Sequence, residues 1–305
     1  MKILVCDKTE KEAIEQMRAA GLEVDVRDDI TPEELPNVLT AYDGMVVRSR
    51  TKVRKPLIDA CPNLKVIVRG GVGLDTIDAD HARSKGIVVM NTPMASSASV
   101  AELTIGYMFA LARSIPQATA SVKAEKWEKK QFEGEELGGK TLGLIGVGNI
   151  GREVARRAAA LGMRVVAYDP YVKAADGVQM ISLDALLAEA DYISLHLPKT
   201  PESSNMISGG QFAKMKEGVR IINCARGGIL DETALYAELV SGKVASAALD
   251  VHAEEPPTDW KLLKLPNVIG SPHIGAATKE AQGRVGAEVA QKLIDFARSL
   301  QADPH

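Results

Sequence analysis

The chain has 305 residues and a net charge of −3, and 46% of its residues are hydrophobic and 25% charged. That length accommodates two domains with buried cores, and the composition is ordinary for a globular protein. So small a net charge gives no reason to expect binding to nucleic acid or to a membrane surface. The three cysteines are odd in number and widely spaced, which argues against a disulfide framework and a zinc site, so we expect no metal.

No stretch of the sequence predicts targeting to or through a membrane. The N-terminal apolar run is too short for a signal peptide, and the longest nearly apolar stretch, residues 103–112, is far shorter than a bilayer span. We therefore expect a cytoplasmic protein.

Short apolar runs alternate with helical segments over the first 95 residues. This alternation predicts βαβ units and a parallel sheet. The expected strands cover residues 2–6, 24–26, 44–47, 65–68 and 87–90. Between them, helices are expected at residues 10–20, 56–60 and 78–84, and another begins with the Thr31 cap and its early acids.

Residues 91–97 break this pattern, and the chain enters a long helix capped by Ser97 and ending near Arg113. Because that helix is apolar on more than one face, we expect it to be buried between domains or between subunits. Residues 123–130 are basic around Trp127, which we interpret as a solvated helix face with one anchoring aromatic residue.

A second α/β unit begins at Thr141. Its six expected strands cover residues 142–145, 164–168, 192–195, 220–223, 245–249 and 268–270, with helices between them. A final helix is predicted from residue 278 to 300, followed by a tail that ends at His305. Six strands with a glycine turn after the first are typical of a doubly wound nucleotide-binding domain.

The turn after the first strand of this unit reads Gly146-x-Gly148-x-x-Gly151. In a strand–turn–helix context these glycines allow a tight turn, close approach of a pyrophosphate, and close packing of the helix. Asp169 ends the next strand, where a carboxylate binds a ribose 2′-hydroxyl and repels a 2′-phosphate. We therefore predict NAD as the cofactor rather than NADP.

Three later strands of the same sheet end in ionisable residues. Arg226 follows one strand, Asp250 and Glu255 follow the next, and His273 follows the last. Ligands of doubly wound sheets bind at the carboxyl ends of strands, so these side chains belong to one edge. His273 can exchange the proton of an alcohol during hydride transfer, with Glu255 orienting the imidazole and Arg226 binding a carboxylate.

The remaining histidines and a second glycine loop are less informative. His196 follows a strand and either lines the cofactor or is structural, whereas His81 is expected on a helix surface. Residues 70–73 form another glycine-rich strand end, but no third glycine stands at Thr76, so we interpret the loop as an anion-binding nest. Arg48, Arg50 and Arg69 predict a basic patch beside it, which suits a doubly anionic substrate.

These motifs together resemble the D-2-hydroxyacid dehydrogenases, and the resemblance covers nearly the whole chain. The motifs at residues 47–53, 91–93 and 115–121 are most similar to those of the members that oxidise 3-phosphoglycerate to 3-phosphohydroxypyruvate with NAD. The resemblance implies an α/β protein with two doubly wound parallel-sheet domains. One is a Rossmann NAD-binding domain over residues 97–277, and the other a smaller flavodoxin-like substrate domain over residues 1–96 and 278–305.

The resemblance also implies a role for particular residues of this sequence. The catalytic positions are Arg226, Glu255 and His273. The cofactor-binding positions are Gly146, Gly148, Asn149, Ile150, Gly151, Asp169, Leu197, Cys224, Ala225, Asp250, Gly275 and Ala276. The positions that bind the phosphorylated 2-hydroxyacid are Arg48, Ser49, Arg69, Gly70, Gly71, Val72 and Gly73.

Further implications concern assembly and regulation. A homodimer, or a dimer of dimers, is expected to pair through the nucleotide domain, with Lys129 near the partner's substrate. Lys129, Asn149 and Leu197 differ from the arginine, arginine and threonine of close relatives. Because the chain stops soon after the last helix, we expect no regulatory domain and no serine feedback through one.

Two alternative functions stay open at this point. One is a dehydrogenase or reductase for another 2-hydroxyacid, such as glyoxylate, hydroxypyruvate or D-lactate. The other is an NAD(H)-sensing corepressor or scaffold, for which the sequence offers no partner-binding tail.

Overall fold

The computed structural model describes residues 1–302, which form two compact units. Residues 1–96 and the chain from Ala277 onward make the first unit, and residues 97–276 make the second. None of the helices described in these units combines the length and apolar content needed to cross a bilayer.

The first unit is built on a five-stranded parallel sheet in the order β2-β1-β3-β4-β5. This is the flavodoxin-like order of a doubly wound sheet, as predicted. Its elements in chain order are β1 Lys2–Val5, α1 Lys11–Ala19, β2 Glu23–Val26, α2 Leu35–Leu39, β3 Gly44–Val47, α3 Lys55–Ala60, β4 Val66–Arg69, α4 Ala79–Ser84 and β5 Val88–Asn91. Strands β3 and β4 are buried along their whole length, which explains their continuous apolar sequence.

The helix expected to begin at Thr31 begins later. Thr31 and Glu34 do exchange the two hydrogen bonds of a capping box, with Glu34 N donating to Thr31 Oγ1 at 3.3 Å and Thr31 N to Glu34 Oε2 at 3.2 Å. These bonds close a turn, and the α-helix itself starts only at Leu35.

The second unit is built on a seven-stranded parallel sheet in the order β12-β11-β10-β9-β6-β7-β8. Its elements are α5 Ser97–Arg113, α6 Ile115–Lys123, the 3₁₀ helix Lys129–Phe132, β6 Thr141–Ile145, α7 Asn149–Ala160, β7 Arg164–Tyr168, β8 Gln179–Met180, α8 Leu183–Glu189, β9 Tyr192–Leu195, α9 Gly209–Phe212, β10 Val219–Asn223, α10 Glu232–Ser241, β11 Val244–Leu249 and β12 Val268–Gly270. The strand order reverses at β6, as in a Rossmann domain, so the predicted fold class is confirmed. The predicted six strands lack β8, which is only two residues long and pairs with β7.

Helix α5 packs one face against α7, β10 and β11 within the second unit. Residues of that face, such as Val100, Tyr107 and Met108, are buried, whereas Phe109 on the opposite side is 39% exposed. The helix ends at Arg113 as predicted, but the predicted cap is wrong, because Ser97 is the first helical residue and its buried Oγ has no hydrogen-bond partner within residues 1–302.

The predicted helix over residues 123–130 is wrong. Helix α6 ends because Glu125 takes a left-handed φ of 60°, and Lys126 N then donates to Ser121 O at 3.0 Å, a hydrogen-bond pattern that terminates helices. Trp127 follows this cap and is 86% exposed, so its predicted anchoring role is wrong.

The last helix, α11 Lys279–Ala302, belongs to the first unit. It packs along α1 and against β4, and Arg284 Nε donates to Ala95 O at 2.8 Å. The predicted tail is helical at residues 301 and 302, and its remainder, including His305, lies outside the described residues.

Candidate active site

The glycine turn of the second unit joins β6 to α7, and its backbone requires glycine at two of its positions. Gly146 has a φ of 100°, and a Cβ there would lie 2.5 Å from the His196 carbonyl oxygen. A Cβ on Gly151 would lie 2.3 Å from the Gly146 carbonyl oxygen. Both positions are therefore closed to larger residues by the fold itself.

Gly148 differs from its two neighbours. Its φ is −68°, which any residue can adopt, and no atom lies within 4 Å of the place where its Cβ would be. Neither backbone strain nor packing explains a glycine there. An open position at the N-terminus of a twelve-residue helix does fit the pyrophosphate of a dinucleotide, because helix N-termini present N–H groups to anions.

Asp169 lies directly after β7 and bonds to the same turn. Its Oδ2 accepts from Val147 N at 2.9 Å, and its Oδ1 accepts from Tyr171 N at 2.9 Å and Val172 N at 3.0 Å. Partial burial opposes ionisation, but these backbone donors hold the pKa of Asp169 below its ordinary value. The group is therefore an anion, which fits a ribose diol and disfavours a 2′-phosphate.

The structure brings two of the predicted catalytic side chains into contact. His273 Nδ1 lies 2.7 Å from Glu255 Oε2, while Glu255 Oε1 accepts from His252 N at 3.2 Å. An ionised carboxylate only accepts hydrogen bonds, so the proton sits on Nδ1 and Nε2 is left to exchange a proton with a substrate. The imidazole is 45% exposed and thus reachable.

Arg226 lies in a loop that touches the loop of Glu255. A Cβ on Gly227 would lie 1.7 Å from the His252 carbonyl oxygen, so only glycine allows the two backbones to approach this closely. Asn223 braces the Arg226 loop, because its Oδ1 accepts from Ala225 N and its Nδ2 donates to Arg226 O, each at 3.0 Å. Asn223 and Gly227 were not predicted as site residues, although the glycine pair that directly follows Arg226 was the available signal.

Asp250 is almost completely buried, with 1% of its surface exposed. Its carboxylate accepts from Ser271 Oγ, from Ile274 N at 2.8 Å and from Gly275 N at 2.7 Å. A Cβ on Gly275 would lie 2.9 Å from Asp250 Oδ2, which gives this glycine a structural reason. That Asp250 faces a nicotinamide ring stays a prediction.

The other predicted cofactor positions are distributed around this edge of the sheet. Cys224 directly follows β10, and burial followed by the nearby Asp250 charge raises the pKa of its thiol to about 12, so it is not a reactive thiolate. The rest lie in the first turn of α7, after β9, after β10 and at the end of the unit: Asn149, Ile150, Leu197, Ala225 and Ala276. No group of three or more His, Cys, Asp or Glu side chains within residues 1–302 is arranged to hold a metal ion.

His196 and His81 occupy different environments. His196 Nε2 lies 2.9 Å from Ser194 Oγ, and burial lowers the pKa of the imidazole to about 4, so it is neutral at physiological pH. His81 lies on α4 and pairs with Asp59 at 2.9 Å, in keeping with its predicted place on a helix.

In the first unit, the predicted substrate positions follow β3 and β4. Gly71 exchanges hydrogen bonds with Thr92, at 2.8 Å to its side chain and 3.0 Å to its backbone, and Gly70 N donates to Val47 O at 2.9 Å. A Cβ on Gly71, whose φ is 152°, would lie 2.6 Å from Arg69 Nη1. The loop of residues 70–73 thus lies against a guanidinium, which favours an anionic ligand.

Arg48 and Ser49 immediately follow β3, on the same side of the sheet as that loop. Gly70 lies beside Arg48, because a Cβ added there would be 3.4 Å from Arg48 Cγ. Desolvation lowers the pKa of Arg48, against the opposing effect of Glu10 and Asp7, yet an arginine remains a cation.

Arg50 does not belong to the basic patch, and that part of the prediction is wrong. Its Nε bonds to Asp7 Oδ1 at 3.1 Å, its Nη1 donates to Ile30 O at 3.0 Å and its Nη2 donates to Cys6 O. The guanidinium therefore links the loop after β3 to the residues that follow β1 and to the loop before α2.

With this geometry described, comparison with known proteins gives a consistent answer. Residues 105–275 match the family model described as the D-isomer specific 2-hydroxyacid dehydrogenase, NAD binding domain. This chain belongs to that family. Membership makes it a relative of NAD-dependent oxidoreductases, and the residues of the glycine turn fit NAD as the cofactor.

Individual relatives extend the match to nearly the whole chain. The chain is 50% identical to D-3-phosphoglycerate dehydrogenase of Archaeoglobus fulgidus over 98% of its own length and 58% of that protein. It is 52% identical to hydroxypyruvate reductase of Thermotoga maritima over 96% of its length and 97% of that protein. Among solved structures, it is similar to D-lactate dehydrogenase from Aquifex aeolicus complexed with NAD and lactic acid, with a TM-score of 0.87, 32% identity, and coverage of 98% and 96%.

Proposed function

We propose that the chain oxidises D-3-phosphoglycerate to 3-phosphohydroxypyruvate with NAD, the entry reaction of serine synthesis. The contact between His273 Nδ1 and Glu255 Oε2, at the same sheet edge as the Gly146–Gly151 turn, is the observation that carries this proposal. Similarity to D-3-phosphoglycerate dehydrogenase of Archaeoglobus fulgidus supports it, although the chain spans only 58% of that protein's length.

The second unit would supply the chemistry. Gly146, Gly148, Gly151 and Asp169 would hold NAD, which accepts a hydride when bound. His273 Nε2 takes the proton of the substrate 2-hydroxyl as the C2–H bond gives up its hydride, so that the alcohol becomes a ketone. Glu255 holds the Nδ1 proton and stabilises the imidazolium that forms.

Charged groups would select the substrate. The fork of Arg226 suits the carboxylate and the oxygen on C2. The N–H groups of the loop of residues 70–73 would bind the carboxylate, and Arg48 and Arg69 would bind the phosphate. An uncharged substrate tail would not need these two guanidinium groups.

The experiment compares two substrates that differ only in the phosphate. With NAD in excess, we expect kcat/KM for D-3-phosphoglycerate to exceed that for D-glycerate by about 100-fold or more, as two charge-assisted hydrogen bonds imply. Arg48→Ala should lower the first value about tenfold or more and leave the second unchanged. Activity on D-lactate with none on D-3-phosphoglycerate would contradict the proposal.

A variant of the proposed acid–base residue tests the mechanism. His273→Ala should lower kcat by about 10²- to 10⁴-fold, because a positioned acid–base group contributes about that much. NAD binding, measured by calorimetry, should stay within about twofold, since the imidazole does not hold the cofactor. Near-normal turnover would remove His273 from the mechanism.

Reduction of hydroxypyruvate is a second candidate, favoured by the Thermotoga maritima relative, of which the chain covers 97%. The two candidates are separated by following NADH oxidation with hydroxypyruvate and with 3-phosphohydroxypyruvate. A preference for the unphosphorylated ketoacid that survives Arg48→Ala would favour this second function.

We also propose that the chain forms a homodimer, or a dimer of dimers, in the cytoplasm, paired through the second unit, with Lys129 near the substrate of the partner. Apolar side chains lie exposed on α5, on α6 and just after α6: Phe109, Ile115, Val122 and Trp127. Sedimentation of the wild type and of Trp127→Ala would test this, with a smaller assembly expected for the variant.

A further inference from the structure

Three consecutive backbone N–H groups after β12 all point at one residue, Asp250. His273 N donates to its carbonyl oxygen at 2.8 Å, Ile274 N to its Oδ1 at 2.8 Å and Gly275 N to its Oδ2 at 2.7 Å. These three hydrogen bonds accompany a φ of 53° at His273. This left-handed conformation costs free energy for any residue with a Cβ. Something must therefore hold Asp250 in place for the His273 backbone to keep this shape.

A chain of two hydroxyl groups leads to the same carboxylate. Tyr107 Oη is hydrogen bonded to Ser271 Oγ, and Ser271 Oγ to Asp250 Oδ1. The direction of both bonds follows from chemistry alone. An ionised carboxylate cannot donate, so Ser271 donates to Asp250, and its oxygen must then accept from Tyr107.

The tyrosine is suited to a permanent donor role. It is 7% exposed on the buried face of α5, and burial, followed by the Asp250 charge, raises its pKa to about 12 despite the bond to Ser271. Its hydroxyl therefore stays protonated at the pH values of an enzyme assay.

Ser271 is also linked, through His252, to Glu255, the other member of the catalytic pair. Its carbonyl oxygen lies 3.0 Å from His252 Nε2, and His252 N donates to Glu255 Oε1 at 3.2 Å. One serine is thus connected both to the loop that carries His273 and to the loop that carries Glu255.

We propose that Tyr107 and Ser271 are positioning residues for the dehydrogenase reaction. Their hydrogen-bond chain to Asp250 holds the left-handed loop that presents His273 to the substrate. The part that Tyr107 and Ser271 play in catalysis rests on the proposed function of His273. Their effect on the position of the His273 imidazole does not depend on that function. Neither residue touches the reacting atoms.

The test removes one hydroxyl at a time from the full chain. Tyr107→Phe deletes the first donor, and Ser271→Ala deletes the link to Asp250. Tyr192→Phe is the matched control, because Tyr192 is a buried tyrosine of the same unit whose hydroxyl donates to Glu135 at 2.7 Å, away from the loop. Ser271→Thr keeps a hydroxyl and serves as the conservative rescue.

Two readouts separate positioning from simple loss of stability. We expect Tyr107→Phe and Ser271→Ala to lower kcat about three- to tenfold, the scale of one hydrogen bond, with the KM for NAD unchanged. With ¹⁵N-labelled histidine, only five residues give imidazole signals, and His273→Ala identifies the one of interest. The Nδ1–H signal of His273 should shift in both variants, and Tyr192→Phe and Ser271→Thr should resemble the wild type.

The outcomes distinguish this inference from the proposed function, since the NMR spectra need neither substrate nor cofactor. A shifted His273 signal in a protein inactive on every 2-hydroxyacid would support the positioning role and defeat the proposed function. Wild-type kcat and an unmoved His273 signal in both Tyr107→Phe and Ser271→Ala, in a protein active on D-3-phosphoglycerate, would overturn the positioning role.

Discussion

The two glycine-rich loops of this chain follow strands of parallel sheets, yet they are built differently. In the second unit, Gly146 and Gly151 are required by carbonyl oxygens of the protein, Gly148 is required by nothing present, and α7 starts at once. In the first unit, Gly71 lies against the Arg69 guanidinium, and the next helix, α4, begins only at Ala79. Glycine content alone therefore says little, and the neighbours of each glycine decide what the loop can bind.

The residue at the end of the adjacent strand sharpens the contrast. Asp169 gives the second-unit loop an anionic acceptor, which takes the Val147 N–H. Asn91, at the corresponding place in the first unit, donates its amide to Val72 O. A carboxylate favours a neutral diol beside one loop, whereas the arginines of the first unit favour an anion beside the other.

The largest effect that tests this comparison is expected at Gly148. Gly148→Ala should weaken NAD binding about 100-fold, because a methyl group at the open position displaces the pyrophosphate from about two hydrogen bonds to backbone N–H groups. Thermal stability without cofactor should not fall, since no protein atom lies within 4 Å of the new group. Calorimetric titration of NAD and a melting curve measure both.

Gly209→Ala is the control for Gly148→Ala, because Gly209 is also in the second unit with no atom within 4 Å of its Cβ position. It should leave NAD affinity unchanged. Equal affinity of Gly148→Ala and the wild type would show that the dinucleotide does not approach this backbone.

A smaller effect is expected in the first-unit loop. Gly71→Ala should raise the KM for D-3-phosphoglycerate about tenfold, because the methyl group would displace Arg69 Nη1, which lies 2.6 Å from that position, and one charge-assisted bond is lost. The KM for NAD should not change, and the two KM values from one set of initial rates check this. A rise in the KM for NAD instead would contradict the proposal that the first-unit loop binds the substrate and not the cofactor.

The preference for NAD over NADP should depend on the carboxylate of Asp169. Asp169→Ala should weaken NAD about five- to tenfold and narrow the preference over NADP, because a hydrogen-bond acceptor and a repelling charge are lost together. Asp169→Asn keeps the shape without the charge and separates these two causes. An unchanged ratio of kcat/KM for the two cofactors would assign the preference to other residues.

A separate effect, on stability rather than on binding, concerns His196, whose carbonyl oxygen lies against Gly146. Burial lowers the pKa of its imidazole to about 4, against about 6.5 when unfolded, so between these values the unfolded chain binds more protons. Stability should fall as the pH is lowered through this window, by up to about 1.4 kcal/mol per pH unit from this group. Urea unfolding of the wild type and His196→Gln at pH 7 and pH 5 measures the difference, and equal losses in both would contradict it.

The features that could be predicted best from the sequence are those that depend on neighbours along the chain. The alternating strands and helices could be predicted because apolar runs and helix caps are local features. The short strand β8 could not be predicted, because two residues show no pattern. The 123–130 segment failed for a related reason. Its composition allows a helix, but the left-handed Glu125 ends α6 at Lys123, the first residue of the segment.

By itself, then, the sequence determined the two α/β units, the glycine turn, its following acid, and the strand ends that carry Arg226, Glu255 and His273. Only the tertiary structure decided which charged groups bond to other parts of the protein and which remain available to bind a ligand. It bonded Arg50 to Asp7, brought Glu255 Oε2 to 2.7 Å from His273, and joined Tyr107 to Ser271, 164 residues apart. The reason is physical: hydrogen-bond partners distant in sequence leave no periodicity, so their pairing appears only when the chain has folded.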